Sequence, residues 1–454
     1  MGHVVKSWKA NRSAGHIWEA RETGHGARVK GQNKERNNGL WAARHVGNDV
    51  TQIRGGNMKR VGFVEIVCCV GLMFLVSGYG QTAELAPYPV GVNLELTGRV
   101  SSLGIPVKRG LEIAADAVNA AGGVNGRKLK PVYYDNESDP AKAVILTKRL
   151  IDVDNVIACT GYALSGNAMA VVQTVESGNT VMIAGTATDK LWIPTKKWVF
   201  NIVPRQREAS IPILIDSLLQ RGAKKIAYIY IDTTYGQTGK ETFDVVAKEM
   251  KVTPVIVEKY AAGSPDVGPQ ITHIKASGAD GILMSGNVAD SVMVIKSARD
   301  QGFTGPIACD YAIVGPEFIE LGGKYVEGIV TTSLKALVAP ELPANDFQKK
   351  IAMDLYTRYT QQFGIFSLYS GHSWDMVYLI AEALKKVDPN LDPTKKADLV
   401  KIREQLRDNL EKIKGYVGQN GTFNFAPDNH NGLGAKCYVA VVVQNGKWAP
   451  YKGK

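Results

Sequence analysis

The sequence predicts an α/β protein of two doubly wound lobes, each a parallel sheet with helices on both faces. Three observations carry this. From residue 88, short apolar runs alternate with amphipathic stretches of about ten to fifteen residues. Near residue 211 the alternation begins again as a second set. Two strand–turn–helix junctions of similar composition also follow one another, at 160–167 and 184–189.

In the first set, 88–94 reads as a strand and 105–121 as an amphipathic helix stopped by Gly122-Gly123. Asn125-Gly126 turns the chain into a strand at 128–134, and 141–151 is the next helix. The apolar run 155–159 reads as a buried parallel strand. It is followed by Thr160-Gly161-Tyr162-Ala163-Leu164-Ser165-Gly166-Asn167 and a helix over 168–175. Such a junction leaves several backbone N–H groups without internal partners, and the helix dipole adds partial positive charge there. The turn is therefore suited to a small anion, with Ser165 as a further donor. Ala184-Gly185-Thr186-Ala187-Thr188-Asp189 repeats the pattern one strand later, and 198–203 is a further strand.

The second set runs helix 211–221, strand 225–231, turn 232–236, helix 239–250, strand 255–260, helix 269–277, strand 281–284, helix 291–301 and a short strand at 306–309. Long helices follow at 346–363, 371–386 and 397–410, and a late pair of strands near 421–425 and 438–443 closes the chain. Alternation of this kind implies right-handed crossovers and sheets covered on both faces. Ligands of open α/β sheets bind beyond the carboxyl ends of the strands, so two such sheets facing each other make a cleft.

The 454 residues suffice for two or three domains, and the moderate charge excludes global disorder. The net charge of +11 suggests nucleic acid, but its distribution does not: residues 1–57 hold ten Lys/Arg against four Asp/Glu, and the body from Glu84 keeps only +4. No basic block with interleaved aromatics is present, which argues against nucleic acid as a partner. Residues 1–57 lack apolar periodicity and read as upstream sequence ahead of a true start at Met58. Met58-Lys59-Arg60, an apolar core to Val76 and a small-residue tail to Ala83 describe a secretory signal peptide over 58–83, which places the mature protein in the periplasm. The alternative is a retained anchor, although the apolar run is short and Glu65 interrupts it. Ile66 and Val67 stand where a lipoprotein signal needs a small residue, which argues against lipid attachment.

Cys159, Cys309 and Cys437 remain beyond the leader and permit at most one internal disulfide. Neither CxxC nor zinc spacing occurs, and His273, His372 and His430 are too scattered to suggest a metal site. No cofactor is expected.

Several pieces, in order, resemble a known family. They are Leu96-Thr97-Gly98 through Gly104, Ala120-Ala121-Gly122-Gly123 through Arg127, Tyr134-Asp135-Asn136 through Ala143, Gly161 through Gly166, and Asp232-Thr233-Thr234-Tyr235-Gly236. Over 88–449 the chain is similar to type I periplasmic solute-binding proteins of branched-chain amino acid ABC transporters, of the leucine-binding kind. The resemblance implies two lobes joined by a three-crossing hinge, with 84–204 plus 334–415 as lobe 1 and 205–333 plus 416–454 as lobe 2. It implies a monomer that traps its ligand when the lobes close and delivers it to a membrane permease.

By position, the resemblance assigns the ligand carboxylate to Ser165, to Tyr162 and the backbone around Ala163, and to the turn Thr186, Ala187 and Thr188. From the facing lobe, Tyr235 would cover the ligand, with Ser285, Asn287 and the turn of Asp310 and Tyr311 nearby. A carboxylate taken from water needs charge-assisted hydrogen bonds, each worth roughly 1.5–3 kcal/mol. Amino acid binders of this family hold the ligand ammonium with an acidic side chain near 310–311. Asp310 is the candidate, although the register places Tyr311 there. Leu103 stands where some members carry an aromatic, and the tail around 342–350, 370–375 and 417–433 is similar to a branch binding aromatic and other hydrophobic carboxylic acids. Both ligand classes stay open, and only the amino acid needs a carboxylate for its ammonium.

Each residue also has a plainer reading. Tyr235 packs a turn, Tyr162 and Leu164 fill a lobe surface, Arg99 is a solvated loop residue, Trp374 belongs to a core stripe, and His372 and His430 settle loops. Asp428-Asn429-His430-Asn431-Gly432 lacks calcium-loop spacing. Gly236 to Glu241 resembles a phosphate loop but has Thr234 at the place of its first glycine, and Ala163 replaces the first glycine of a nucleophile elbow at Ser165. No enzyme is indicated. A receptor ectodomain of the same fold would need a membrane span after the domain, and the sequence shows none there.

Overall fold

The computed structural model describes residues 84–453, so the expected leader over 58–83 and the segment before it lie outside the described residues. The first sheet holds β1 (Tyr88–Leu94), β2 (Leu129–Asp135), β3 (Ala158–Gly161), β4 (Val181–Ala184) and β5 (Val199–Asn201). All its pairings are parallel, in the order β2-β1-β3-β4-β5. The second holds β6 (Ile226–Ile231), β7 (Ile256–Tyr260), β8 (Gly281–Ser285), β9 (Ile307–Cys309) and β10 (Val330–Ser333), parallel in the order β7-β6-β8-β9-β10. The two sheets share one winding. In each, the strand order reverses beside the first strand of the set, where α/β sheets open a crevice.

Helices cover both faces because their apolar residues recur at helical spacing. In α1 (Ser101–Ala120), Leu103, Val107, Leu111, Ala114 and Val118 are buried along one stripe. The helices α2 (Pro140–Asp152) and α3 (Ser165–Ser177) complete the first set. The second set has α4 (Gln206–Ala209), α5 (Ile211–Gln220), α6 (Thr234–Glu249), α7 (Gly268–Ala276), α8 (Val288–Asp300) and α9 (Pro316–Gly322). Three long helices follow, α10 (Lys349–Phe363), α11 (Leu368–Leu384) and α12 (Lys396–Glu411). Of these, α11 lies against α1 so closely that a Cβ at Gly110 would stand 2.3 Å from the Ser370 carbonyl.

The two late strands join different sheets. Thr422–Phe423 (β12) pairs with Tyr416–Val417 (β11), whereas Val439–Gln444 (β13) runs antiparallel to β10 and extends the second sheet with Lys447–Pro450 (β14). The segment 416–454, expected in lobe 2, touches both sheets. Asn431 Nδ2 donates to the carbonyls of Asn201 and Val203, both at 2.9 Å, and the His430 ring stacks on Phe200 with centroids 4.0 Å apart. These contacts set His430 and Asn431 against β5 of the first sheet, while β13 and β14 join the second. The chain also passes from one sheet to the other between β5 and β6 and again after β10. Cys159, Cys309 and Cys437 are all free and buried. Among the described residues no helix is long and apolar enough to cross a membrane.

Candidate functional site

The first lobe offers the start of α3. Gly161 has φ +103°, and a Cβ there would lie 2.5 Å from the Asn93 carbonyl, so the turn passes too close to β1 for any side chain. The helix then begins at Ser165 with Leu164 as its N-cap, and no side chain caps it. The first intrahelical bond runs from the Ala168 amide to the Leu164 carbonyl, 3.0 Å. The amides of Ser165, Gly166 and Asn167 therefore have no partner within the helix.

Glu95 lies beneath this turn at the end of β1, fully buried. Its Oε2 accepts from the Ala163 amide at 3.1 Å, and its Oε1 accepts from Asn167 Nδ2 at 2.9 Å and Asn136 Nδ2 at 3.3 Å. Burial raises its pKa, while these bonds to the ionised form oppose the rise. Sequence reasoning missed Glu95. Leu94-Glu95-Leu96 looks like the alternating end of a strand, and nothing nearby in sequence announces that the glutamate is buried.

The second lobe presents aromatic rings. Tyr235 opens α6, where Gly236 lets the helix start against β6: a Cβ there would stand 1.9 Å from the Ile231 carbonyl. Tyr235 and Tyr311 meet edge to face at 6.5 Å, and both hydroxyls are buried without a hydrogen-bond partner. A further ring comes from the first lobe: Tyr369, at the start of α11, donates across to the Ala312 carbonyl at 3.2 Å.

Ala163, Ser165, Ala187, Tyr235, Asn287 and Tyr311 line one cavity between the lobes, together with Leu103, Leu164, Gly185, Ala312 and Tyr369. Its wall carries no Lys, Arg or His. In this closed arrangement the cavity measures about 20 Å³, roughly the room of one water. The lobes must therefore part to admit a ligand. Asn287 also lines a neighbouring groove of about 430 Å³, together with Arg99, Ser101, Ser102, Asp290 and Glu317.

The other expected residues are turned away from the cavity. Tyr162 is fully buried inside the first lobe, where its hydroxyl meets Thr147 Oγ1 at 2.8 Å, rather than facing a ligand. Ser285 Oγ is taken by the Tyr228 hydroxyl at 2.7 Å. The amide and carbonyl of Thr186 are held by the Asn201 side chain at 3.1 and 2.9 Å. Thr188 Oγ1 accepts from Thr238 Oγ1 at 3.0 Å, a bond from one lobe to the other. Asp310 points into the hinge: its carboxylate accepts from Ser210 Oγ at 2.7 Å, from the Tyr311 amide at 2.9 Å and from Gln206 Nε2. Burial raises its pKa against those bonds. The Ala163 amide, expected to face a ligand carboxylate, is already taken by Glu95.

Charged pairs bridge the rim. Lys190 meets Glu241 at 2.7 Å and Arg99 meets Asp290 at 3.5 Å, each across the cleft, so Arg99 is a bridging residue rather than a free loop arginine. Among the described residues no group of three or more His, Cys, Asp or Glu could hold a metal ion.

Comparison with known proteins agrees with this architecture. Residues 87–447 match the family described as periplasmic binding protein. An amino acid binding protein of Pseudomonas aeruginosa is 29% identical over 257 residues, covering 56% of this chain and 68% of that protein. A Leu/Ile/Val-binding protein homologue of Brucella melitensis is 24% identical over 306 residues, 64% of this chain and 80% of that one. Among solved structures, an extracellular ligand-binding receptor from Rhodopseudomonas palustris HaA2 superposes with a TM-score of 0.72 at 25% identity, covering 82% of this chain and all of that one. A branched-chain amino acid transporter substrate-binding protein from Streptococcus pneumoniae, crystallised with isoleucine, gives 0.67 at 23% identity over 80% and 97% of the two chains, a likeness of fold. Two doubly wound sheets, a cleft between their switch points and a family match spanning both lobes lead to one conclusion: the chain belongs to the periplasmic binding protein family.

Proposed function

We propose that this protein is the extracytoplasmic substrate-binding component of an ABC importer, a binder rather than an enzyme. It works in the periplasm as a monomer and hands its ligand to a membrane permease. The ligand is a small hydrophobic amino acid of the leucine, isoleucine and valine class, in keeping with the names of the relatives. Its carboxylate meets Ser165 Oγ and the first-turn amides of α3, and its side chain packs against Leu103, Tyr235, Tyr311 and Tyr369.

The observation that carries this reading is the uncapped start of α3, with its unpaired amides, facing an aromatic wall across a closed interlobe cavity. The tyrosine lining favours a second reading, an aromatic or other hydrophobic carboxylic acid held by the same turn. Titration calorimetry with leucine, isoleucine, valine and benzoate tests both. Ser165→Ala should weaken the ligand by about 1.5–3 kcal/mol, roughly ten- to a hundredfold. Failure of all four compounds to bind the wild-type protein at millimolar concentration would overturn the proposal.

A further inference from the structure

The cavity has a hydrogen-bonding end for a carboxylate but no cation in its wall, and a buried carboxylate lies behind it on each side. Glu95 stands behind the Ala163–Ser165 turn of the first lobe, and Asp310 stands behind the Tyr311 turn of the second. Every bond to Glu95 Oε1 and Oε2 comes from an N–H donor: the Ala163 amide, Asn136 and Asn167. Asp310 likewise accepts from Gln206, Ser210 and the Tyr311 amide. All-N–H donation suits an ionised Glu95, because a protonated one would need an acceptor. Neither has a Lys, Arg or His partner. The cations at the rim are already paired: Arg99 with Asp290, Lys190 with Glu241 and Arg205 with Asp189. A ligand carrying only a negative charge would enter a site whose uncompensated charge has the same sign.

Resting on the ligand position proposed above, we infer that Glu95 is a specificity-determining residue that selects ligands bearing an ammonium beside the carboxylate and disfavours plain acids of the same shape. Glu95 acts through its field and through the turn it holds, without touching the ligand. It removes the Ala163 amide from the donors available to an anion and leaves a negative charge in its place. An α-ammonium cancels the ligand carboxylate's own charge, so a zwitterion adds no net negative charge beside Glu95. A plain acid has nothing to offset Glu95 and binds only by giving up affinity. Asp310 contributes the same sign from the other lobe. The acidic side chain that the sequence led one to seek at the ammonium is thus replaced by charges set one layer back, and the one on the first lobe lies under the carboxylate turn itself.

The surroundings make the charge switchable. The groups facing Glu95 are Asn93 and Asn136 through the buried amide chain, Asn167 of α3, the Ala163 amide and the Tyr162 ring beside it, with no charged side chain among them. Asp310 faces Ser210, Gln206, Cys309 and the rings of Tyr235, Tyr311, Tyr369 and Tyr438. Asn167 Oδ1 is buried without a partner. It is an acceptor in reserve for a protonated Glu95, or for the amide of a glutamine, once the Asn167 amide rotates.

The test compares leucine with 4-methylpentanoate, which has the same carbon skeleton and carboxylate but no ammonium. Calorimetry at pH 7.5 should show wild-type protein preferring leucine. In Glu95→Gln the ratio of the two dissociation constants should fall by about tenfold or more, chiefly because the acid binds better. Glu95→Asp, which keeps the charge, should retain most of the preference. A merely structural role for Glu95 would weaken both ligands alike and leave the ratio unchanged, and that result would overturn the inference. Should Glu95→Gln fail to fold, the wild type decides. It should bind the uncharged 4-methylpentanamide at least as tightly as 4-methylpentanoate, and a clear preference for the anion refutes the idea. Wild-type protein binding neither compound would instead overturn the ligand position on which the inference rests.

Discussion

The two lobes share a winding and differ in what they bring to the cleft. The first, ordered β2-β1-β3-β4-β5, contributes backbone: an uncapped helix start, a glycine turn and a buried amide network around Glu95. The second, ordered β7-β6-β8-β9-β10, contributes side chains, namely the Tyr235 and Tyr311 rings and the Asn287 amide. One winding therefore supports two kinds of recognition. In the binding mode proposed above, backbone donors fix the charged end of the ligand, while side chains shape the room for the rest. Substitutions should be tolerated unequally, and this gives several ways to break the comparison.

The largest effect is expected at the glycines at the carboxyl ends of β3 and β8, strands that hold equivalent places in the two windings. Gly161→Ala puts a Cβ against a backbone carbonyl at positive φ and should destabilise the protein by about 3 kcal/mol in urea unfolding. Gly286→Ala meets the Tyr260 hydroxyl at 2.4 Å, the tip of a side chain able to move, and should cost only about 1 kcal/mol. Equal losses would mean that the first-lobe turn is no more constrained than the second.

The next effect concerns acid, and again falls on the first lobe's side. His372 of α11 is buried, its Nδ1 bonded to Asn420 and its Nε2 without a partner, and burial lowers its pKa to about 4. Its neutral form contributes stability above the unfolded value near 6.5, and that contribution is lost as pH falls toward 4. Asp375, raised to about 7 by burial despite accepting from the Gln419 and Asn420 amides, works in the opposite sense: its contribution is full in acid and is lost as pH rises through 7. His372→Gln should leave only the second slope. Between pH 6.5 and 4 it should lose less stability than the wild type, by on the order of 3 kcal/mol. Parallel pH profiles would show that His372 does not titrate in this range.

The smallest effect lies at the rim. Lys190 and Glu241 are each about half exposed. Lys190→Ala should change stability by no more than about 0.5 kcal/mol and should shift ligand affinity slightly, more at low salt than at high. A large change would mean that the rim pair, rather than the cavity, controls closure.

The fold was largely legible because apolar spacing reports burial directly. The helix over 105–121 appears as Ser101–Ala120 and the second-set strand over 225–231 as Ile226–Ile231. The site was legible only in part. Ser165 could be placed because a strand, a glycine turn and a helix start confine its backbone. Tyr162 could not, since φ +52° turns its ring into the lobe, a rotation with no signature in residue type. Asp310 was expected at a ligand ammonium because the family resemblance puts an acidic side chain near 310–311, yet its partners Gln206 and Ser210 lie about a hundred positions earlier and meet it only in the folded chain. Glu95 escaped for the same reason. The three asparagines around it, Asn93, Asn136 and Asn167, gather only when β1, β2 and α3 come together.

In the proposed binding mode the start of α3 holds the ligand's carboxylate while the tyrosine rings around the cavity hold its body. A crystal structure of the protein grown with leucine tests this most directly. The leucine carboxylate should lie within hydrogen-bonding distance of Ser165 Oγ and the first-turn amides of α3, with its side chain against Tyr235, Tyr311 and Tyr369. Leucine lodged instead in the groove between Arg99 and Glu317, or bound with its carboxylate toward the second lobe, would contradict it.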